Sequence, residues 1–304
     1  MTKRSCRTMS CSLLLLTITL SLSTPPITAS TQSPPSFNIG KLISTHWNKA
    51  SQLANLEQTC EDYNGDVIAQ SSSETASLIS TKRLVCLPLD ERFDPPNGMF
   101  SHGHVQTGDK MSLPAVFWKA IMKSGAEVPW LFEVSRVDDL SGPRVITDDT
   151  DGSKGTDTPK LTKVVGGAID FRSPSNYVFL PHWMMSALGL RPRDIVSVRL
   201  IQDVPPGSSV RLRPHKTEFT SIGNHQAVLE TELKHYSALV KGTTIPFDYN
   251  GKRYWFDVVD LRSAPRGERV DMAKVQDCDI AAEFVRAKDQ VEEMKRRRAE
   301  QEGN

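Results

Sequence analysis

Two segments of this chain share one pattern, which restricts the folds open to it. The segment Leu113-Pro-Ala-Val-Phe-Trp-Lys-Ala-Ile121 aligns without a gap with Leu180-Pro-His-Trp-Met-Met-Ser-Ala-Leu188, at an offset of 67 residues. In each copy the Leu-Pro pair predicts a helix with the proline in its first position, where the missing N–H would have no partner anyway. The alternative is a chance agreement between two Leu-Pro helix starts.

Apolar strands accompany both copies. The second copy lies between Tyr177–Leu180 and Ile195–Leu200, and the first copy leads into Val128–Val134. Gly189 can take the left-handed conformation that ends the second helix. Two copies are too few for a solenoid, so the pattern predicts one closed barrel made of two pseudo-symmetric halves, each with a short helix that plugs an end.

The second copy and the strand after it resemble a known family. Leu180-Pro-His-Trp-Met-Met185 and Asp194-Ile-Val-Ser-Val198 are similar to the signature of the ubiquitin fusion degradation protein 1 family. The resemblance extends over about residues 82 to 284. Its other segments are Arg83–Pro88, Gly108–Pro114, Val128–Phe132, Asn224–Glu230 and Asp277–Asp279.

The resemblance implies a β-rich α+β fold, in which a double-psi β-barrel is followed by a smaller α/β subdomain. We expect the barrel over residues 81–219, the subdomain over 220–284 and a charged helical tail over 285–304. The signature residues, which we expect to be mainly structural, are Leu180, Pro181, His182, Trp183, Met184 and Met185. The ubiquitin-contact residues stay unassigned.

The resemblance also implies a function. Members of the family bind ubiquitin chains and, with a partner named nuclear protein localisation 4, deliver substrates to the valosin-containing-protein ATPase for extraction from a membrane. We therefore expect a non-enzymatic adaptor that binds ubiquitin, a ubiquitin-like protein or polyubiquitinated proteins. It would recruit them to an AAA ATPase in ER-associated degradation or in an ERAD-like protein import system. The family's ATPase-binding tail has no counterpart here, so we expect a partner or an altered barrel surface to supply the ATPase coupling.

No catalytic constellation stands out in the sequence. Nucleophile-elbow, zinc-protease and dinucleotide-binding motifs are missing, as are the Asp-Thr-Gly loops of the aspartic proteases that share this type of barrel. His182 is the best lone candidate for chemistry, and we interpret it as a hydrogen-bonding residue at the helix start. His102 and His104 lack a third metal ligand. We predict no catalytic, cofactor or metal residues; the alternative is a barrel enzyme with a site not visible in sequence. A net charge of +1 does not indicate a nucleic-acid partner.

The amino-terminal residues have the composition of targeting segments. Residues 1–29 combine a basic start, a short apolar core and Ile27-Thr-Ala29, which predicts a secretory signal peptide. Residues 30–80 are transit-like or disordered, with no acidic residue before Glu57. We expect entry into the endoplasmic reticulum and passage towards a complex plastid, with about residues 1 to 60 removed. The alternative is a cytosolic protein with a mis-assigned start.

The carboxy-terminal half carries local signals of its own. Asn250-Gly251 predicts a hairpin, Ala227–Leu239 a helix and Ala281–Gln301 a charged helix. The aromatic residues of the hairpin are interpreted as core and cross-strand residues, with a binding platform as the alternative. Cys86 and Cys278 are expected to be buried.

Overall fold

A computed structural model describes residues 39–70, 81–89, 106–137 and 161–302. The predicted signal peptide, His102 and His104 lie outside these residues. Residues up to Thr45 group separately from a compact unit that begins at His46. Among the described helices, none combines the length and the apolar character needed to span a membrane.

The first part of the chain forms a helix and a barrel. Its elements are α1 (Ile39–Gln70), β1 (Thr81–Pro88), β2 (Lys110–Pro114), α2 (Ala115–Ser124), β3 (Leu131–Arg136), β4 (Lys163–Ser173), β5 (Tyr177–Leu180), α3 (His182–Leu188) and β6 (Ile195–Ile201). The strands close in the order β1-β5-β2-β4-β3-β6.

The strand pairing has twofold symmetry. β1 is parallel to β5 and antiparallel to β6. In the same way, β4 is parallel to β2 and antiparallel to β3. β2 with β5 and β3 with β6 are both antiparallel. Exchanging β1–β3 for β4–β6 leaves every pairing unchanged, so the predicted barrel of two pseudo-symmetric halves is confirmed.

The two plug helices begin and end in the same way. Each closes at a left-handed glycine, Gly125 with φ 63° and Gly189 with φ 61°. Pro114 and Pro181 have extended ψ values of 152° and 144°, so each precedes its helix. The prediction that each proline occupies the first helical position was therefore wrong by one residue, because proline also suits the extended residue before a helix.

The barrel ends earlier than predicted. β7 (Gly207–Pro214) pairs with two strands that come later in the chain, Lys252–Ser263 and Ala281–Phe284. The last barrel strand is therefore β6, and the limit predicted at residue 219 moves back to about Ile201. The sequence of β7 reads as one more strand of the same kind, and only its pairing partners assign it to the second subdomain.

The second subdomain is a mixed sheet with helices. Its further elements are a 3₁₀ helix (Thr217–Ser221), α4 (His225–Leu233), β8 (Ala238–Val240), β9 (Thr244–Tyr249), β10 (Lys252–Ser263), β11 (Met272–Lys274), β12 (Ala281–Phe284) and α5 (Lys288–Glu302). In its core, the rings of Phe219 and Phe256 pack edge to face, with 4.6 Å between their centroids. β11 pairs with β8 in a separate ribbon.

The predicted hairpin is confirmed. Asn250 and Gly251 have φ values of 50° and 72°, as a two-residue hairpin turn requires. Two helix predictions were partly wrong: α4 ends at Leu233 instead of continuing to Leu239, and Ala281–Phe284 pairs with β7 as a strand. Tertiary pairing overrides the helical pattern in both places. Cys278 is half-buried instead of buried.

Helix α1 lies within the segment that was predicted to be transit-like or disordered. Its Cys60 is buried with Leu53 and Leu56 against the barrel. The amide side chain of Asn64 both accepts from the N–H of Arg83 and donates to its C=O, each at 2.9 Å. The pairing of β1 with β5 begins only at Val85, so Asn64 replaces a strand neighbour that Arg83 lacks. The fold therefore begins before Thr81.

Candidate binding surface

The signature residues form a buried plug. Leu180, Pro181, Trp183, Met184 and Met185 are buried. Trp183 donates from Nε1 to the carbonyl of Gly108 at 2.8 Å. Its ring lies 6.0 Å from the ring of Tyr236, which belongs to the second subdomain. The plug helix α3 thus contacts both the barrel and the second subdomain.

His182 differs from the rest of the signature because it is exposed. Its backbone N–H donates to Oε1 of Gln106 at 3.2 Å. In the described part of the chain, no three or more His, Cys, Asp or Glu side chains are grouped so that they could hold a metal ion. Burial raises the pKa of Cys60 to about 11 and that of Cys86 to about 12, so both remain thiols near neutral pH. Neither is an activated nucleophile.

Asp109 joins the barrel to the second subdomain. Its fully buried carboxylate accepts from the N–H of Ser237 at 2.7 Å and from that of Ala238 at 3.1 Å. Lys110 lies 3.2 Å from the other oxygen and also donates to the hydroxyl of Ser237. Burial raises the pKa of Asp109, although Lys110 and the two N–H donors act to lower it. No sequence pattern marks Asp109 as a functional residue, although it lies in the family-like segment Gly108–Pro114.

The barrel exposes a group of apolar side chains at its other plug helix. This aromatic surface consists of Trp118 and Met122 on α2, Val128 and Trp130 before β3, and Phe171 on β4. Trp118, Met122 and Val128 are 41%, 57% and 66% exposed.

The rings of the aromatic surface are in mutual contact. Trp118 lies 5.4 Å from Trp130 and 5.6 Å from Phe171, measured between ring centroids. Trp130 is further held by a hydrogen bond from Nε1 to the carbonyl of Ala126. The indoles are therefore ordered before any partner arrives, which lowers the entropy cost of binding.

The aromatic surface has the composition of a protein interface. Exposed contiguous apolar groups mark interaction sites, and tryptophan is enriched among the residues that dominate binding energy. The opposite face of α2 packs into the barrel, where Phe117 and Ile121 are buried, so only the outward face is open to a partner. A usable signal was present in the sequence: α2 carries more bulky apolar residues than one buried face can hold.

These features define a double-psi barrel joined to an α/β subdomain, with an exposed apolar surface suited to binding another protein. Models of the two N-terminal subdomains of ubiquitin fusion degradation protein UFD1 match residues 92–204 and 206–287. The chain belongs to the ubiquitin fusion degradation protein 1 family. The boundary between the two matches coincides with the change from β6 to β7, and both matches begin after α1.

Individual relatives match over part of their length. Ubiquitin fusion degradation protein 1 of Schizosaccharomyces pombe is 35% identical over 122 residues, 40% of this chain and 34% of that protein. The Dictyostelium discoideum homolog is 26% identical over 181 residues, 60% of this chain and 46% of that protein. The mouse ubiquitin recognition factor in ER-associated degradation protein 1 is 29% identical over 119 residues, 39% of this chain and 36% of that protein. The chain thus matches between about a third and a half of each relative.

Proposed function

We propose that this protein is a non-catalytic recognition factor for ubiquitinated, or ubiquitin-like modified, proteins in a degradation pathway. Family membership supports the proposal, as do the names of its relatives, which refer to ubiquitin fusion degradation and to ubiquitin recognition in ER-associated degradation. The observation that carries it is the aromatic surface, since the exposed indole of Trp118, held against the half-buried indole of Trp130, suits protein recognition on a barrel of this family.

The binding energy would come mainly from Trp118, Met122 and Trp130. Truncating a central aromatic residue of an interface costs at least about 2 kcal/mol, which corresponds to roughly thirtyfold in affinity. The flanking Lys119 and Lys123 are exposed on the same helix and would set the preferred charge of the partner.

The downstream role would be delivery of bound substrates to an AAA ATPase of the valosin-containing-protein type. A partner of the nuclear protein localisation 4 type, or an altered barrel surface, would provide the coupling. We also propose that a leader directs the protein through the endoplasmic reticulum towards a complex plastid. Because Leu53, Leu56 and Cys60 pack on the barrel, removal of the leader would end before about residue 50, earlier than the limit near residue 60 expected from composition.

The test is a quantitative pull-down of the full chain with polyubiquitin, with a ubiquitin-like protein and with the ATPase as separate baits. We expect Trp118→Ala to lower polyubiquitin binding by about thirtyfold or more. Trp255→Ala is the matched control, because Trp255 is a similarly exposed tryptophan, 38% exposed, on the second subdomain.

Two outcomes would contradict the proposal. If neither ubiquitin bait binds the wild-type chain, the recognition function is wrong. If Trp255→Ala abolishes binding and Trp118→Ala does not, the site lies on the β9–β10 hairpin, which is the binding platform left open by the sequence.

A further inference from the structure

A groove on the second subdomain has a chemistry that the proposed function does not use. It lies between the end of α4 and residues 275–281, and its volume is about 1130 Å³. We call it the acidic groove. Leu233 and Val275 are buried in its wall, and Ile280 is half-buried beside them.

The rim of the acidic groove is negatively charged. Glu230, Asp277 and Asp279 contribute three carboxylates against one ammonium group, that of Lys234. Among the described residues, Asp277 and Asp279 have no ion-pair partner, and Glu230 has only a 3.5 Å hydrogen bond from Gln226. These charges are therefore available to a ligand.

The backbone adds to the negative potential. Helix α4 ends at Leu233, so its carboxyl end, where the partial charge of the helix dipole is negative, lies at the groove. Two independent features, the rim carboxylates and the helix end, thus favour a cation. A bound metal ion does not fit, because the described residues contain no group of three or more side chains able to hold one. The fitting cations are side chains of lysine or arginine.

The size and apolar wall of the groove favour a peptide over a small molecule. Small-molecule sites usually enclose about 300 to 1000 Å³. The acidic groove, at about 1130 Å³, is larger than this and is open to solvent. An extended peptide could place apolar side chains against Leu233 and Val275, while long basic side chains reach the rim.

We propose that the acidic groove is a docking site for an extended segment of a partner protein in which arginine or lysine alternates with apolar residues. The site is separate from the aromatic surface, and the proposal does not depend on ubiquitin recognition. Charge complementarity between the rim and the segment selects this partner over an acidic one.

The test measures binding of fluorescein-labelled octapeptides to the full chain by fluorescence anisotropy. The first peptide alternates arginine with leucine, the second alternates glutamate with leucine, and the third alternates arginine with glycine. We expect only the arginine–leucine peptide to bind with a measurable dissociation constant, and we expect that constant to rise with salt concentration. Equal binding of the first two peptides, or no binding of the first, would overturn the proposal.

Variants locate the site. The double substitution Asp277→Asn and Asp279→Asn should weaken binding of the arginine–leucine peptide about three- to tenfold. Asparagine tolerates the φ of 59° at position 277 as aspartate does, so the backbone is kept. Lys234→Glu should strengthen binding, a gain that a folding defect cannot produce.

The control is the double substitution Glu292→Gln and Glu300→Gln on α5, which changes the net charge by the same amount. If the control weakens binding as much as the groove variant does, the peptide responds only to overall charge and the acidic groove is not its site.

Discussion

The two halves of the barrel have the same strand pairing but different surroundings. On α3, Trp183 is 5% exposed and Met185 is 4% exposed, because the second subdomain contacts this side through Tyr236. On α2, Trp118, which aligns with Met185, is 41% exposed, and Met122 is 57% exposed.

The difference shows how one duplicated unit can provide two kinds of surface. Both helices use one face to plug the barrel, so their inward residues are interchangeable in kind. Their outward residues are not, because a subdomain of the same chain contacts α3, and α2 keeps its aromatic surface exposed. A partner protein bound to α2 would cover its outward face in the way that the second subdomain covers the outward face of α3.

The largest expected effect that tests this comparison is that of Trp183→Ala. We expect the free energy of unfolding to fall by roughly 3 to 5 kcal/mol, because a buried indole and its hydrogen bond to Gly108 are both lost. Denaturant unfolding of the full chain measures the change. An unaltered transition would mean that the α3 side is as open as the α2 side.

The next test removes the carboxylate that joins the second subdomain to the barrel. Asp109→Ala should lower the free energy of unfolding by about 2 to 4 kcal/mol, since two buried N–H groups and Lys110 lose their partner. Asp109→Asn keeps an oxygen acceptor and is the control, so it should be the milder of the two.

Because of Asp109, we also expect the free energy of unfolding to depend on pH. Burial raises its pKa in the folded state, so the native protein holds this proton more tightly than the unfolded chain does. The contribution of this proton to stability is complete below the unfolded pKa of about 3.9 and is lost as the pH rises through the higher folded pKa. The measurement is denaturant unfolding of the wild type and of Asp109→Asn at pH values between the unfolded and the folded pKa. We expect the stability of the wild type to fall with rising pH in this range and that of Asp109→Asn to show no such change.

A smaller effect is expected at α1, which packs against residues of both halves, Val85 on β1 and Tyr177 and Ile195 on β5 and β6. Asn64→Ala leaves the N–H and C=O of Arg83 without their partner, so we expect a loss of about 1 to 2 kcal/mol. Thermal unfolding and hydrogen exchange at β1 measure it. Unchanged protection of the Arg83 amide would show that α1 does not stabilise this strand.

The smallest change in stability should come from Trp118→Ala. Because the side chain is 41% exposed, we expect a loss of less than about 1 kcal/mol, together with the loss of partner binding proposed above. A destabilisation as large as that of Trp183→Ala would remove the distinction between the two halves.

Several parts of the fold follow from local signals. The Leu-Pro pairs, Gly189 and Asn250-Gly251 were correctly predicted as helix starts, a helix end and a turn, apart from the one-residue shift at the prolines. The candidate sites were harder to predict from the sequence. Asp109 and the aromatic surface depend on which elements meet across the chain. The surplus of bulky apolar residues on α2 was a usable signal for the aromatic surface, whereas no local pattern marked Asp109.

What the sequence determined by itself is the set of elements whose conformation depends on neighbouring residues: the duplicated strand–helix units, their ends and the hairpin. What only the tertiary structure decided is the set of long-range partners. β7 joined β10 and β12 instead of the barrel, α1 packed through Cys60 and Asn64, and the second subdomain contacted α3 while the aromatic surface on α2 remained exposed. The physical reason is that backbone propensities act over a few residues, whereas pairing and burial depend on surfaces brought together from distant parts of the chain.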